Sequence, residues 1–197
     1  MKSPFALKRR ARVSRAALAF VAIFLSGFVA SALTSAPAPA YTSRPEPIKD
    51  YPDTGGKELT DGEFGESSFH DERWVGWYNW IDATRVVSIT FDFGKTRKFS
   101  RIRLFTLNFK AAGINPIEEF VVSFSKDGET FENETTFNTT DAEREPGEGK
   151  IGEPVTLARD LAGDGRWVKI ELRQLDRSEK HPWIFLSEVE FDFQPAK

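Results

Sequence analysis

Beyond about residue 40 the apolar positions of this chain recur at every second residue, the period of a strand with one wet face. Residues 86–93, VVSITFDF, show it most clearly: Val87, Ile89, Phe91 and Phe93 alternate with Ser88, Thr90 and Asp92. Gly94-Lys95-Thr96 reads as the end of that strand, and residues 101–107, RIRLFTL, repeat the alternation with Ile102 and Leu104 inward. Residues 108–116 carry the Gly and Pro of a loop. A strand at 120–125 is closed by Lys126-Asp127-Gly128-Glu129, a hairpin-type turn, and residues 135–152 read as a long, acidic, exposed loop. Strands at 154–157 and 166–174 flank an expected turn at 160–165; the second points Val168, Ile170 and Leu172 inward and Lys169, Glu171 and Arg173 outward. The last strand, 184–193, is expected to bury Val189, Phe191 and Phe193 and to expose Glu188, Glu190 and Asp192. No stretch after residue 40 holds a helical period over ten residues. Short alternating strands between turns predict an all-β fold, an antiparallel β-sandwich or barrel.

Residues 51–80, YPDTGGKELTDGEFGESSFHDERWVGWYNW, break the alternation. Asp53-Thr54-Gly55-Gly56 and Thr60-Asp61-Gly62 are turn signals, because glycine supplies positive φ and aspartate bonds its own backbone. A long ordered loop rich in aromatics serves binding or braces the fold. In its WVGWYNW end an extended backbone places Trp74, Tyr78 and Trp80 on one side and Trp77 on the other, with Trp74 expected in the core.

Composition changes the picture at the front. Residues 1–40 begin basic, run apolar from 16 to 32, and end in small residues suited to a signal peptidase, Ala30-Ser31-Ala32 or Ala36-Pro37-Ala38. This is a signal peptide, the favoured reading, or an uncleaved signal anchor, since about 17 apolar residues is the lower limit for crossing a bilayer. Either reading predicts a secreted or cell-surface protein whose only membrane contact is the leader. Residues 41–49 read as an extended Pro-containing linker, and 50–195 as the folded domain.

The leader holds six of the 27 basic residues and no acidic one, so the remainder has 21 basic against 30 acidic side chains, a formal charge of −9. Such a balance excludes nucleic acid as the main partner and suits cations and neutral sugars. Cysteine is absent, which rules out disulfides and a lipoprotein anchor and fits a bacterial exported chain. The sequence has no cysteine nucleophile, no G-x-S-x-G, no H-E-x-x-H and no Gly-rich phosphate loop, so it reads as noncatalytic.

In this order of elements, YPDTGG-KELTDG, then RIRLFTLN…INPIEEFVVSFSKDGETF, then the ending WIFLSEVEF, resemble the galactose-binding-like jelly roll. The branch resembled is that of discoidin or coagulation-factor C-type domains and bacterial carbohydrate-binding modules, and the likeness spans about residues 45–195. It implies a noncatalytic β-sandwich whose loops bind sugars, lipids or proteins. It also implies a structural Ca²⁺ between the Asp-Gly loop and the final strand. Here the matching side chains are Asp61 and Glu188, with Glu58 and Ser187 as carbonyl donors and Glu63 as a further candidate. Family members often carry neutral residues where Glu63 and Glu66 stand.

For the ligand, a cell-surface glycan or other carbohydrate is expected to stack on Trp77, Tyr78 and Trp80, since sugar C–H faces pack on aromatic rings. Asn108, Lys110, Arg173 and His181 are the expected hydroxyl partners, by likeness to sugar-binding relatives. The rival is an adhesion or protein-interaction module of the same fold; an accessory domain of a glycoside-processing system is the remote alternative.

Overall fold

The computed structural model describes residues 38–78, 86–114, 116–144, 152–174 and 183–195. Seven antiparallel strands make up nearly all of its regular structure: β1 (Ala40–Arg44), β2 (Val75–Tyr78), β3 (Val86–Asn108), β4 (Glu119–Ser125), β5 (Glu132–Asn138), β6 (Glu153–Arg173) and β7 (Trp183–Phe193). A single helical turn, α1 (Asp141–Arg144), precedes β6. Hydrogen bonding links the strands in the order β2-β7-β3-β6-β4-β5, with β1 added on β3.

Two strands serve both layers of a sandwich. The first part of β3, Val86 to Asp92, pairs with β1 and with the last part of β6, which pairs onward to β4 and β5. The second part, from Phe99, pairs with the first part of β6 and with β7, which carries β2. Register shifts between Asp92 and Arg97 and between Phe99 and Arg101 mark the passage from one layer to the other. Bulges of this kind bend and twist a strand without ending it. Gly94, at φ 70°, takes the left-handed conformation there, and its N–H donates to Asp92 Oδ1 at 2.7 Å.

The inward faces close over one apolar core that includes Val87, Ile89, Phe91, Leu104, Val168, Ile170 and Leu172, every one without exposure. Burial of this apolar surface is the main favourable term in the fold. The outward residues of β6 keep their polarity by pairing: Arg173 meets Glu119 and Glu171, each at 2.9 Å, and Lys169 meets Glu171 at 3.3 Å.

Four expectations change. The sequence signal for a turn at 94–96 marks a bulge inside β3, and that for a turn at 160–165 lies inside the uninterrupted β6. The glycines of β6 are there for close approach: a Cβ on Gly163 would lie 2.1 Å from the Phe124 ring, and one on Gly165 2.7 Å from the Ser125 carbonyl oxygen. The polar residues 132–138 form β5, an exposed edge strand that needs no apolar alternation. Finally, Tyr41 to Arg44 belong to β1 and are no linker, because Tyr41 packs on Phe91 at 5.4 Å and its hydroxyl accepts the Leu59 N–H at 2.9 Å. Desolvation of that hydroxyl raises its pKa far above the usual phenol value.

Replacing Gly163 by alanine should cost ~2 kcal/mol by overpacking against Phe124. Urea unfolding measures this, and an unchanged midpoint would show that β6 and Phe124 have room to separate.

Candidate functional site

One end of the sandwich gathers aromatic and polar groups from three parts of the chain. β2 ends at Tyr78, whose register partner is Trp183, the first residue of β7. The two rings meet at 4.8 Å and 60°, and Tyr51 approaches Trp183 edge-on at 5.9 Å. Alongside, β3 runs out into a 3₁₀ turn, Lys110–Ala112, closed by Gly113 in the left-handed conformation and by a bridge between Phe109 and Ile114. That turn is sewn to β7: the Trp183 N–H donates to the Gly113 carbonyl at 3.1 Å, and Gln174 Nε2 donates to the Trp183 carbonyl at 3.0 Å. A small second core of Trp74, Leu107, Ile114 and Phe185 supports the arrangement from below. Trp183 itself is half-buried, as is Tyr78, and Lys110 is exposed. Half-buried rings held by packing, next to a turn that carries an exposed lysine, suit recognition of a partly apolar ligand.

Of the expected sugar-binding residues, Tyr78 and the turn that begins at Lys110 each adjoin Trp183, Tyr78 through its ring and the turn through Gly113. Trp80 and His181 lie outside the described residues. Trp77 is no stacking residue: it is fully buried, and its Nε1 donates to the Pro45 carbonyl at 3.1 Å. Val75, Gly76 and Trp77 are all buried, so both faces of β2 are covered, and its free edge bonds the chain at 48–51, Gly76 pairing with Ile48 and Tyr51 at 3.0 Å each. A Cβ at Gly76 would sit 2.8 Å from the Tyr51 Cβ, so only glycine permits this approach. Asn108 is also buried; its Nδ2 donates to the Glu143 carbonyl at 2.8 Å and its Oδ1 has no partner. Arg173 is held on the outer face of β6 by Glu119 and Glu171. Sequence alternation did not bring Trp183 into the site; only the pairing of β2 with β7 sets its half-buried ring against Tyr78.

Asn108 acts through α1. There Thr140 and Glu143 form a capping box: the Glu143 carboxylate accepts the Thr140 N–H at 2.8 Å while the Thr140 hydroxyl accepts the Glu143 N–H at 3.3 Å. Arg159 adds two hydrogen bonds of 2.8 Å to the same carboxylate, which lowers its pKa to about 2.

At the junction of loop and last strand, Asp61 and Glu188 are neighbours. Glu188 is 3 % exposed, and its Oε2 accepts the Gly62 N–H at 3.0 Å. Burial raises its pKa to about 7, and the nearby Asp61 and Glu190 carboxylates push in the same direction against the amides of Gly62 and Asp61. The expected exposure of Glu188 is thus reversed. A register shift in the β3–β7 pairing between Phe105 and Thr106 falls at Ser187, and the loop covers β7 through a 2.8 Å bond from Val189 N–H to the Leu59 carbonyl. Ser187 Oγ and Glu58 Oε2 are buried without partners. Glu63 is exposed, and its N–H donates to Asp61 Oδ1 at 3.0 Å. Two adjacent carboxylates with no ion pair to Lys or Arg among the described residues fit a hard cation. Among the described residues, however, no three His, Asp or Glu side chains converge as a metal cage, so further ligands would have to be peptide oxygens.

An open cleft of about 640 Å³ lies between Tyr51, Glu58, His70, Asp71, Glu72 and Trp74. Its one strongly perturbed acid, Asp71, is clamped by Arg73 at 2.8 and 2.5 Å, and these bonds lower its pKa to about 2. A carboxylate so held does not exchange protons near neutral pH.

Residues 49–193 match the family model described as "Discoidin domain-containing receptor 1/2, DS-like domain", and the chain belongs to that discoidin-like family. No curated protein sequence matches it. Among solved structures, it is similar to a Streptococcus pneumoniae fucose binding module, with 15 % identity, 82 % of this chain and 99 % of that one covered, and a TM-score of 0.55. It is also similar to the lectin domain of lectinolysin complexed with Lewis B antigen, with 19 % identity, coverage of 79 % and 92 %, and a TM-score of 0.52. A third is the C-terminal domain of a chitobiase from Bacteroides fragilis, at 15 % identity, coverage of 80 % and 96 %, and a TM-score of 0.50. At these identities the likeness is one of fold. Among the described residues no helix is long and apolar enough to cross a membrane.

The Glu188 carboxyl gives a pH signature. Its folded pKa lies above the unfolded value of 4.5, so in EDTA the folded state holds the proton more tightly between pH 4.5 and 7. Stability is therefore greatest below that window and falls through it, by roughly 3 kcal/mol at full effect. The difference in unfolding free energy between wild type and Glu188→Gln, followed from pH 4 to 8, should show this slope; parallel curves would place the carboxyl in contact with water.

Proposed function

We propose that this protein is an exported, noncatalytic carbohydrate-binding module that takes a sugar at the Tyr78–Trp183 end of the sandwich. The observation that carries the reading is the meeting of two half-open rings with the Lys110 turn. A pyranose offers an apolar C–H face to such rings and hydroxyls to the polar groups beside them. The discoidin-like fold, shared with structures described as a fucose binding module and a lectin domain complexed with Lewis B antigen, supports it. The basic and apolar leader supports export. Trp183 thus replaces Trp77 as the stacking residue.

A glycan array probed with wild type, Tyr78→Ala and Trp183→Ala is the test. We expect one family of glycans to be retained by wild type and lost by at least tenfold in both variants, while their melting curves remain cooperative. Equal retention by wild type and both variants would remove the site from this end, and no retained glycan would favour the adhesion reading. That second reading has an observation of its own. Phe64, 41 % exposed, is the single large apolar side chain left open among the described residues and packs edge-on against Phe105 at 4.5 Å.

A calcium ion on Asp61 and Glu188 is part of the same proposal. Peptide oxygens of the 58–63 loop and of Ser187, with Glu63, would complete a set of hard ligands. A bound divalent charge would remove the penalty of ionising Glu188. Millimolar Ca²⁺ at pH 8 should therefore raise the melting temperature of wild type by several degrees and leave Glu188→Gln unmoved. Equal midpoints in Ca²⁺ and EDTA would exclude a stabilising ion.

A further inference from the structure

We propose a second binding site, for a carboxylated sugar ring of the uronic-acid kind, in the pocket between Arg97 and the phenylalanines of β3 and β7. The pocket has a volume of about 250 Å³ and is bordered chiefly by Phe93, Phe191, Phe193, Arg97, Arg103 and Glu190. It is distinct from the Tyr78–Trp183 end. Trp183 and Phe193 are the two ends of β7, which at the rise of an antiparallel strand lie roughly 30 Å apart.

The two arginines of the pocket differ in what they have left to offer. Arg103 is satisfied by Glu190 at 2.7 Å and by Asp192 through two bonds of 2.8 Å. Arg97 forms no ion pair among the described residues. Its guanidinium carbon lies 5.1 Å from the centre of the Phe193 ring, and its Nε–H is closed off from water with no acceptor, so the terminal nitrogens are the donors that a carboxylate in the pocket would meet. An unsatisfied buried donor is costly, and hydrogen bonds to a charged acceptor are the strong ones. The planar, five-donor guanidinium matches the two oxygens of a carboxylate.

The remaining walls select what carries that carboxylate. Phe93 packs at 5.2 Å from Phe191 and 5.8 Å from Phe193, giving an aromatic wall suited to the C–H face of a sugar. Glu190, paired with Arg103 through one oxygen, keeps lone pairs that can accept from ring hydroxyls. Glu188 also borders the pocket, but backbone amides of the 61–62 loop occupy its carboxylate. The volume admits one six-membered ring and not an oligosaccharide, so the ligand is a single acidic residue or the acidic end of a chain.

Isothermal titration of the full chain with methyl β-glucuronide and with methyl β-glucoside reads the claim directly. The glucuronide should bind at least tenfold more tightly, and the preference should vanish in Arg97→Gln and shrink in Arg97→Lys, which keeps the charge but loses the fork. Phe193→Ala should weaken both sugars. In a Trp183→Ala background, where the other end is disabled, the preference for the acid should persist; this separates failure here from failure of the glycan site proposed above. Equal affinity for the two sugars would overturn the proposal, as would a preference that survives Arg97→Gln or one that disappears in Trp183→Ala.

Discussion

The whole sandwich depends on the pairing of β3 with β6. These two strands run antiparallel from Val86↔Arg173 to Asn108↔Glu153 and cross from one layer to the other together. Where the ladder bends, Asp92 accepts two bonds of 2.7 Å from Arg166, a fork-to-carboxylate pair that ties the strands on either side of the irregular register. The close seating of Phe124 over Gly163 fills the same region from the core side. β1, β4 and β7 add to these two strands, and β2 and β5 add in turn to β7 and β4. The conformational entropy lost in ordering the outer strands is recovered only once this central pair exists.

Tryptophans divide between bracing and display by what lies over them. Trp74 sits beneath Gly65, whose Cβ would fall 2.3 Å from the indole, and its Nε1 is shared by the carbonyls of Glu66 and Ser68 at 3.0 and 3.1 Å. The loop that leads to Asp61 and Gly62 is wrapped round this ring. Trp77 holds the Pro45 carbonyl in the same manner from the other face of β2. Neither indole can serve a ligand without unfolding its loop. Trp183, at the start of β7, is half-buried against Tyr51, Tyr78 and Phe185.

Much of this was legible in the chain. Period-two alternation located β3 and the second part of β6, where one face lies in the core, and the positive φ of Gly55, Gly56 and Gly62 agrees with the turns read around them. Alternation failed where burial is not one-sided. β2 is covered on both faces, so its spacing could not tell Trp77 from Tyr78. In β7 an irregular register at Ser187 hides Glu188 among apolar neighbours. Glycine was ambiguous for a different reason: Gly94, Gly163 and Gly165 look alike in sequence, yet the first turns the backbone and the other two make room for side chains or backbone of β4. The spatial nearness of Asp61 and Glu188, 127 positions apart in sequence, came from the resemblance and from no local pattern.

The acidic-sugar pocket has one more property: Ala38 and Pro39 border it together with Phe193, so the strand that opens the domain and the strand that closes it are neighbours there. Gln194 is bonded back to the Lys98 carbonyl at 2.9 Å, which fixes the outgoing chain at the same spot. A fold that is entered and left through one doorway can be spliced into a surface loop of a larger protein, or circularly permuted across that gap, with little disturbance to its core.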